Sequence, residues 1–212
     1  QLVLEPALPD HAWVVAGKSW YAGRGVLRTR DGGASWKHEA LLRPDGREVA
    51  INNGMTARRL LLDASAAPTS NASSSAAAAV PGAWYASRDA GLYRRAPGEE
   101  GAWRPEPLAD LPWDGLALGW IEPFGAPGGL LVRVNAPASA AGFWHRPAAD
   151  SAWRRLAAAP DSGPDRAGYA TPDGEGGLLL SAGREVWWLR PPAAPAASPA
   201  RWTHLWTAPA EL

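Results

Sequence analysis

With 212 residues, the chain is long enough for one sizeable core or two small ones. Its 21 basic and 21 acidic side chains cancel, so no overall basic field points to nucleic acid or an anionic membrane. There is no Cys, which excludes disulfides, thiolate metal sites and a Cys nucleophile, and no apolar run approaches the roughly 18 residues of a membrane span.

The basic residues are lopsided, nineteen Arg against two Lys, with only two Ile and abundant Ala, Pro and Gly. A GC-rich genome explains that bias, so only the placement of arginines carries information. Thirteen Trp are informative in themselves. Each buries on the order of 150–250 Å² and needs a partner for its N–H, so they organise the core or a binding surface.

The chain opens on "QLVLEP", as a processed start or an excised domain does, and no signal peptide is visible. An extracytoplasmic, periplasmic or organelle-lumen location and a cytosolic one all fit a chain without Cys, with the former preferred. "LVLEPALPDHAWVV" resembles "RPEPLADLPWDGLAL" further on, so residues 1–6 read as the outer strand of a closing or missing blade. "HAWVVAG" reads as the first strand of the first unit. Four segments then share one layout, beginning "SWYAGRGVLRTRDGGASWKHEA", "AWYASRDAGLYRRAPGEEGAWRPEPL", "GGLLVRVNAPASAAGFWHRPAADSAWRRLAA" and "GGLLLSAGREVWWLRPPAAPAASPARWTHLW". Each holds a short apolar strand, a tight turn, a second strand, a hairpin loop and a closing Trp. "RRLLLD", "LALGWIEPF" and "RAGYATP" supply the leading strand of the later three.

The closing residues are Trp36, Trp103, Trp153 and Trp202, separated by 67, 50 and 49 positions. The low-complexity stretch 64–80 accounts for the outlier, and without its 17 residues the beat is about 50, the length of a four-stranded propeller blade. No stretch keeps a helical period. The expected fold is all-β, a β-propeller of about four blades of four antiparallel strands in one domain over 1–212. The blades fall at about 10–41, 47–108, 113–157 and 165–207. The ring either closes with four blades or belongs to a larger propeller.

Within the first unit, Thr29, Asp31, Gly33, Ser35 and Trp36 fit the pattern Ser/Thr-x-Asp-x-Gly-x-Ser/Thr-Trp. This resembles the Asp-box, or bacterial neuraminidase repeat, of β-propellers. The other three units keep the Trp and lose the Asp. Asp31 is expected to turn its carboxylate onto N–H groups of its own loop. Gly33 supplies a positive φ, and Trp36 covers the hairpin. These five are structural residues in this reading. Among Asp-box proteins the nearest resemblance is to the propellers that help assemble photosystem II, which implies a scaffold with an arginine-rich face.

The catalytic alternatives fare worse. A sialidase, the best-known Asp-box enzyme, needs three arginines, a Tyr nucleophile with a Glu, an Asp and a Phe-Arg-Ile-Pro signature, which this chain lacks. Tyr21, Tyr85, Tyr93 and Tyr169 all sit in or beside strands, and no carboxylate pair has glycosidase placement. His38 and His204 occupy matching places after their Trp, His145 follows Trp144, and His11 stands at a strand entrance. With no metal-ligand spacing among them, neither a metal nor another cofactor is expected. Asn71 begins a glycosylation sequon inside the Ser-rich insertion.

The turns between second and third strands place Arg24, Arg88 and Arg184 equivalently, and Arg47 and Arg166 fall in the inter-blade connections of the same face. Such a mouth suits a carboxylate, phosphate or acidic protein surface. The reading is therefore a non-enzymatic binding or assembly scaffold that engages a protein partner or larger complex, without nucleic acid or a membrane span. The alternative is a glycan-binding propeller using exposed Trp such as Trp144 or Trp188. A sialidase-like hydrolase stands third.

Overall fold

A computed structural model describes residues 2–5, 8–16, 25–43, 45–50, 57–62, 83–87, 91–95, 101–111, 116–126, 128–148, 151–156, 167–191 and 201–209. No α-helix occurs among them. The insertion at 64–80 and Asn71 lie outside the described residues.

Among the described residues, eighteen strands build four four-stranded antiparallel sheets and one two-stranded sheet. The first sheet holds β1 (Leu2–Glu5), β2 (Leu8–Ala16), β3 (Gly25–Thr29) and β4 (Lys37–His38) in that order. β5 (Ala40–Leu42) and β6 (Glu48–Ala50) form the two-stranded sheet. The second four-stranded sheet holds β7 (Ala57–Leu62), β8 (Ala83–Ser87), β9 (Gly91–Arg95) and β10 (Arg104–Pro105). The third comprises β11 (Ala117–Pro123), β12 (Leu130–Ala136), β13 (Gly142–Arg146) and β14 (Arg154–Arg155). The fourth comprises β15 (Ala167–Pro172), β16 (Leu178–Ala182), β17 (Glu185–Arg190) and β18 (Arg201–Thr207).

The first repeat departs from the sequence reading. β2, which contains "HAWVVA", pairs directly with β3, Trp13 opposite Arg28 and Val15 opposite Val26. The position ahead of it is filled by β1, which pairs with β2 from Leu2 opposite Val14 to Glu5 opposite Leu8. Residues 2–5 are thus a member of the first sheet, not an outer strand of another one. The proposed strand "SWYAG" lies outside the described residues. The hairpin β5–β6 had no counterpart in the sequence reading.

The chain divides into two compact units, Gln1–Gly119 and Trp120–Leu212. In the first, Trp13, Val15 and Val26 pack with Leu41, Leu60, Tyr93 and Trp103, every one buried. The contact is held by the main chain as well, since Trp103 donates its N–H to Ala40 and accepts that of Leu42. In the second unit the core is Phe124, Leu131, Phe143, Leu178, Leu180 and Leu189. The Phe143 ring lies 5.6 Å from Trp120 and 4.9 Å from Trp202. Burying each large aromatic side chain contributes about 1.5–3 kcal/mol relative to exposure, which is how a chain with short strands holds its sheets together.

Alternation decides which residues reach these cores. β16 reads buried, exposed, buried along Leu178, Leu179 and Leu180, the period-2 signature of a half-buried strand.

Candidate functional site

β3 runs into a tight turn at Thr29 whose polar side chains bond one another. Thr29 Oγ1 donates to Asp31 Oδ1 at 2.8 Å and accepts the Gly33 N–H at 2.9 Å. Asp31 Oδ1 also accepts the Ser35 N–H at 2.8 Å, and Asp31 Oδ2 accepts the Ser35 hydroxyl. Gly32 and Gly33 have φ of +66° and +97°, values a Cβ resists. The Trp36 indole closes the turn, donating to the Gly33 carbonyl at 3.1 Å. Hydrogen bonds from the Ser35 hydroxyl, the Ser35 N–H and the Thr29 hydroxyl pull the Asp31 carboxyl down to about 2.

Beside this turn lies a cleft of about 370 Å³ in the first unit. Its walls include Arg28, Arg30, Lys37 and Arg95 as cations, with Glu39 and Glu48 as carboxylates. Glu39 is buried and its Oε2 accepts both an Arg95 N–H and, at 3.0 Å, the Trp103 indole N–H. The Arg95 guanidinium carbon sits 4.8 Å from the Trp103 ring centre and 5.8 Å from that of Trp13. Arg28 lies 4.8 Å from the same Trp13 ring and bonds His11 Nδ1 at 3.2 Å. Cations over tryptophan faces are favourable by about 0.5–2 kcal/mol each. Here they also fix where the guanidinium groups point.

This pairing repeats. The third strand of the later three four-stranded sheets finishes in arginine, at Arg95, Arg146 and Arg190, and in the first sheet Arg28 stands one residue before the end of β3. Arg146 lies 5.5 Å from the Trp153 ring, and Arg190 lies 3.6 Å from that of Trp188. In the second unit Asp173 makes another closed turn, accepting the N–H groups of Glu175 and Gly177 and the Trp188 indole. Burial raises its pKa, but those donors outweigh it and hold the carboxyl below its usual range.

Of the five candidate partner-binding arginines, Arg24, Arg88 and Arg166 lie outside the described residues. Arg47 is exposed in the β5–β6 turn, where its backbone N–H bonds Asp45. Arg184 is exposed in the β16–β17 turn and bonds the Ala208 carbonyl. These two belong to different units. Thr29, Asp31, Gly33, Ser35 and Trp36 are brought together in one turn. Sequence reasoning passed over Arg28, Arg30, Lys37, Glu39 and Arg95. For Arg28 and Arg95 the signal was present in the arginine at or next to the end of each third strand. Among the described residues no group of three His, Asp or Glu is placed to hold a metal ion, and no helix is long and apolar enough to cross a membrane.

No protein-family model matches the chain, and no curated protein matches it. Among solved structures, an ancestral GH74 enzyme superposes with a TM-score of 0.61 over 97% of this chain, at 14% sequence identity. The fold is a β-propeller. The chain spans 27% of that enzyme's length. The four-stranded antiparallel sheets are accordingly blades, and at this identity the likeness extends to the fold alone.

Proposed function

We propose that the chain is a non-enzymatic binding scaffold that engages a protein partner through its propeller surface. The observation that carries this reading is the cleft of the first unit, where cations outnumber carboxylates and the buried carboxylate, Glu39, is committed to Arg95 and Trp103. A glycosidase acid must hold a proton near neutral pH. Asp31 beside the cleft is pulled the opposite way, to about 2. The closed hydrogen-bond pattern of residues 29–36 supports the resemblance to Asp-box propellers and a structural role for that turn. Arg24, Arg47, Arg88, Arg166 and Arg184 remain, on the sequence alone, a separate proposed partner-binding set on the face opposite the Asp-box hairpin.

A second reading, a glycan-binding propeller, is favoured by Trp36 and Trp206, which are 39% and 52% exposed. Trp144 and Trp188 are otherwise engaged, their indoles bonding Ala140 and Asp173 and the Trp188 face covered by Arg190.

Purification from the native source tests the scaffold. Co-elution with a protein partner at fixed stoichiometry is expected. Recovery only as a free monomer, or turnover of a glycoside substrate, contradicts it.

A further inference from the structure

We propose that the cleft beside the Thr29–Trp36 turn binds a carboxylate, the acidic side chain of an extended peptide segment of the partner; this rests on the scaffold reading. Four cations face two carboxylates there, a formal balance of +2. Glu39 is already neutralised from within the core by Arg95.

Arg95 supplies the second, independent observation. Its side chain is 4% exposed, and the rings of Trp13 and Trp103 hold its guanidinium in place. One edge of the guanidinium serves Glu39 through Nη1, while the buried Nη2 has no hydrogen-bond acceptor. A buried donor without an acceptor is unfavourable. Nη2 is itself sealed from solvent, so Arg95 contributes positive charge at the inner wall of the cleft while the exposed cations supply the charge-assisted hydrogen bonds to an incoming carboxylate. Lys37, exposed on β4, and Arg30, exposed at the start of the turn, supply further positive charge at the cleft.

The cleft is about 370 Å³, far more than the roughly 30 Å³ occupied by a water molecule. It holds a side chain together with flanking backbone. β4 is the outermost strand of its sheet and lines the cleft through Lys37 and His38. Its outer edge gives an extended peptide main-chain groups to meet.

Fluorescence anisotropy of the full chain with a labelled Gly-Glu-Glu-Gly peptide tests this, with a Gly-Gln-Gln-Gly peptide and inorganic phosphate as the other arms. The Glu peptide is expected to bind at least about tenfold more tightly than the Gln peptide, the worth of one charge-assisted hydrogen bond. Lys37→Glu and Arg30→Glu, both surface changes, should each weaken it by a similar factor while the melting temperature holds. Equal affinity for the two peptides, or no binding of the Glu peptide, overturns the proposal. Displacement of the peptide by phosphate at equal concentration overturns the carboxylate assignment. A negative result here leaves co-purification of a partner intact, whereas a lost partner with an intact peptide site defeats the scaffold reading alone.

Discussion

Arg95 and Glu39, 56 residues apart in the chain, meet as a buried ion pair that ties β9 to the segment leading into β5. Trp103 joins them by donating its indole N–H to the same carboxylate oxygen. The pair fastens β9 of the second four-stranded sheet to the junction of β4 and β5 and lines the cleft. Removing one member of a buried pair strands the other's charge, which costs about 3–5 kcal/mol. Glu39→Ala should therefore lower unfolding free energy by about that amount in urea titrations. The double change Glu39→Leu with Arg95→Met should cost less than the single one. A single-mutant loss under about 1 kcal/mol would show that the pair is not sealed from solvent.

The turn at residues 29–36 depends on an ionised Asp31. Its folded pKa of about 2 lies below the ordinary 3.8, so the folded state releases the proton more readily than the unfolded chain. The stabilisation is present above about pH 4 and is lost as pH falls to 2. Asp31→Ala should have a lower melting temperature than the parent at pH 7, with the gap closing between pH 4 and pH 2. Equal melting temperatures at pH 7 would refute the assignment.

His145 titrates the second unit. Burial lowers its pKa below 6.5, the positive charge of Arg154 adds to this, and a hydrogen bond with the Phe124 backbone opposes both. The neutral ring packs edge-on to Phe124 at 5.0 Å. A depressed histidine pKa means that the unfolded chain takes the proton first, so stability is full above about pH 6.5 and declines as pH falls. Melting temperature should drop between pH 7.5 and 5.5, and His145→Gln should flatten that part of the profile. An unaltered slope in the variant would contradict the assignment.

Gly129 tests packing rather than conformation. A Cβ there would lie 2.2 Å from the Phe124 carbonyl oxygen and 2.9 Å from that of Ala126. Those atoms are backbone and cannot swing aside, so Gly129→Ala should cost at least the upper end of the about 1–3 kcal/mol typical of overpacking. Gly174→Ala, with φ +85° and open space around it, should cost only the conformational penalty, about 1–2 kcal/mol. Denaturant titrations giving both variants the same loss would contradict this close approach.

The strand order of the later three sheets was legible because apolar alternation and bounding turns are local. "LALGWIEPF" became β11 and "GFWHR" became β13. The first sheet was misread by one strand. Leu2 and Leu4 are exposed and Val3 half-buried, a strand alternation too short to weigh beside "HAWVVAG". The Glu39–Arg95–Trp103 cluster was not legible, because pairing across 56 and 64 residues depends on which sheets pack. The arginines at or next to the ends of the third strands were legible. Discounting arginine as a compositional bias hid them, although position relative to a strand end survives such a bias.

The central claim is that a cation-rich cleft in this propeller binds a partner rather than performing catalysis. Its most direct test is the partner affinity of the wild type against an Arg30→Glu, Lys37→Glu double variant, with Arg201→Glu on β18 as a charge control. The account predicts at least about tenfold weaker binding for the cleft variant, near-parental affinity for the control, and equal melting temperatures. Unchanged affinity in the cleft variant would contradict it.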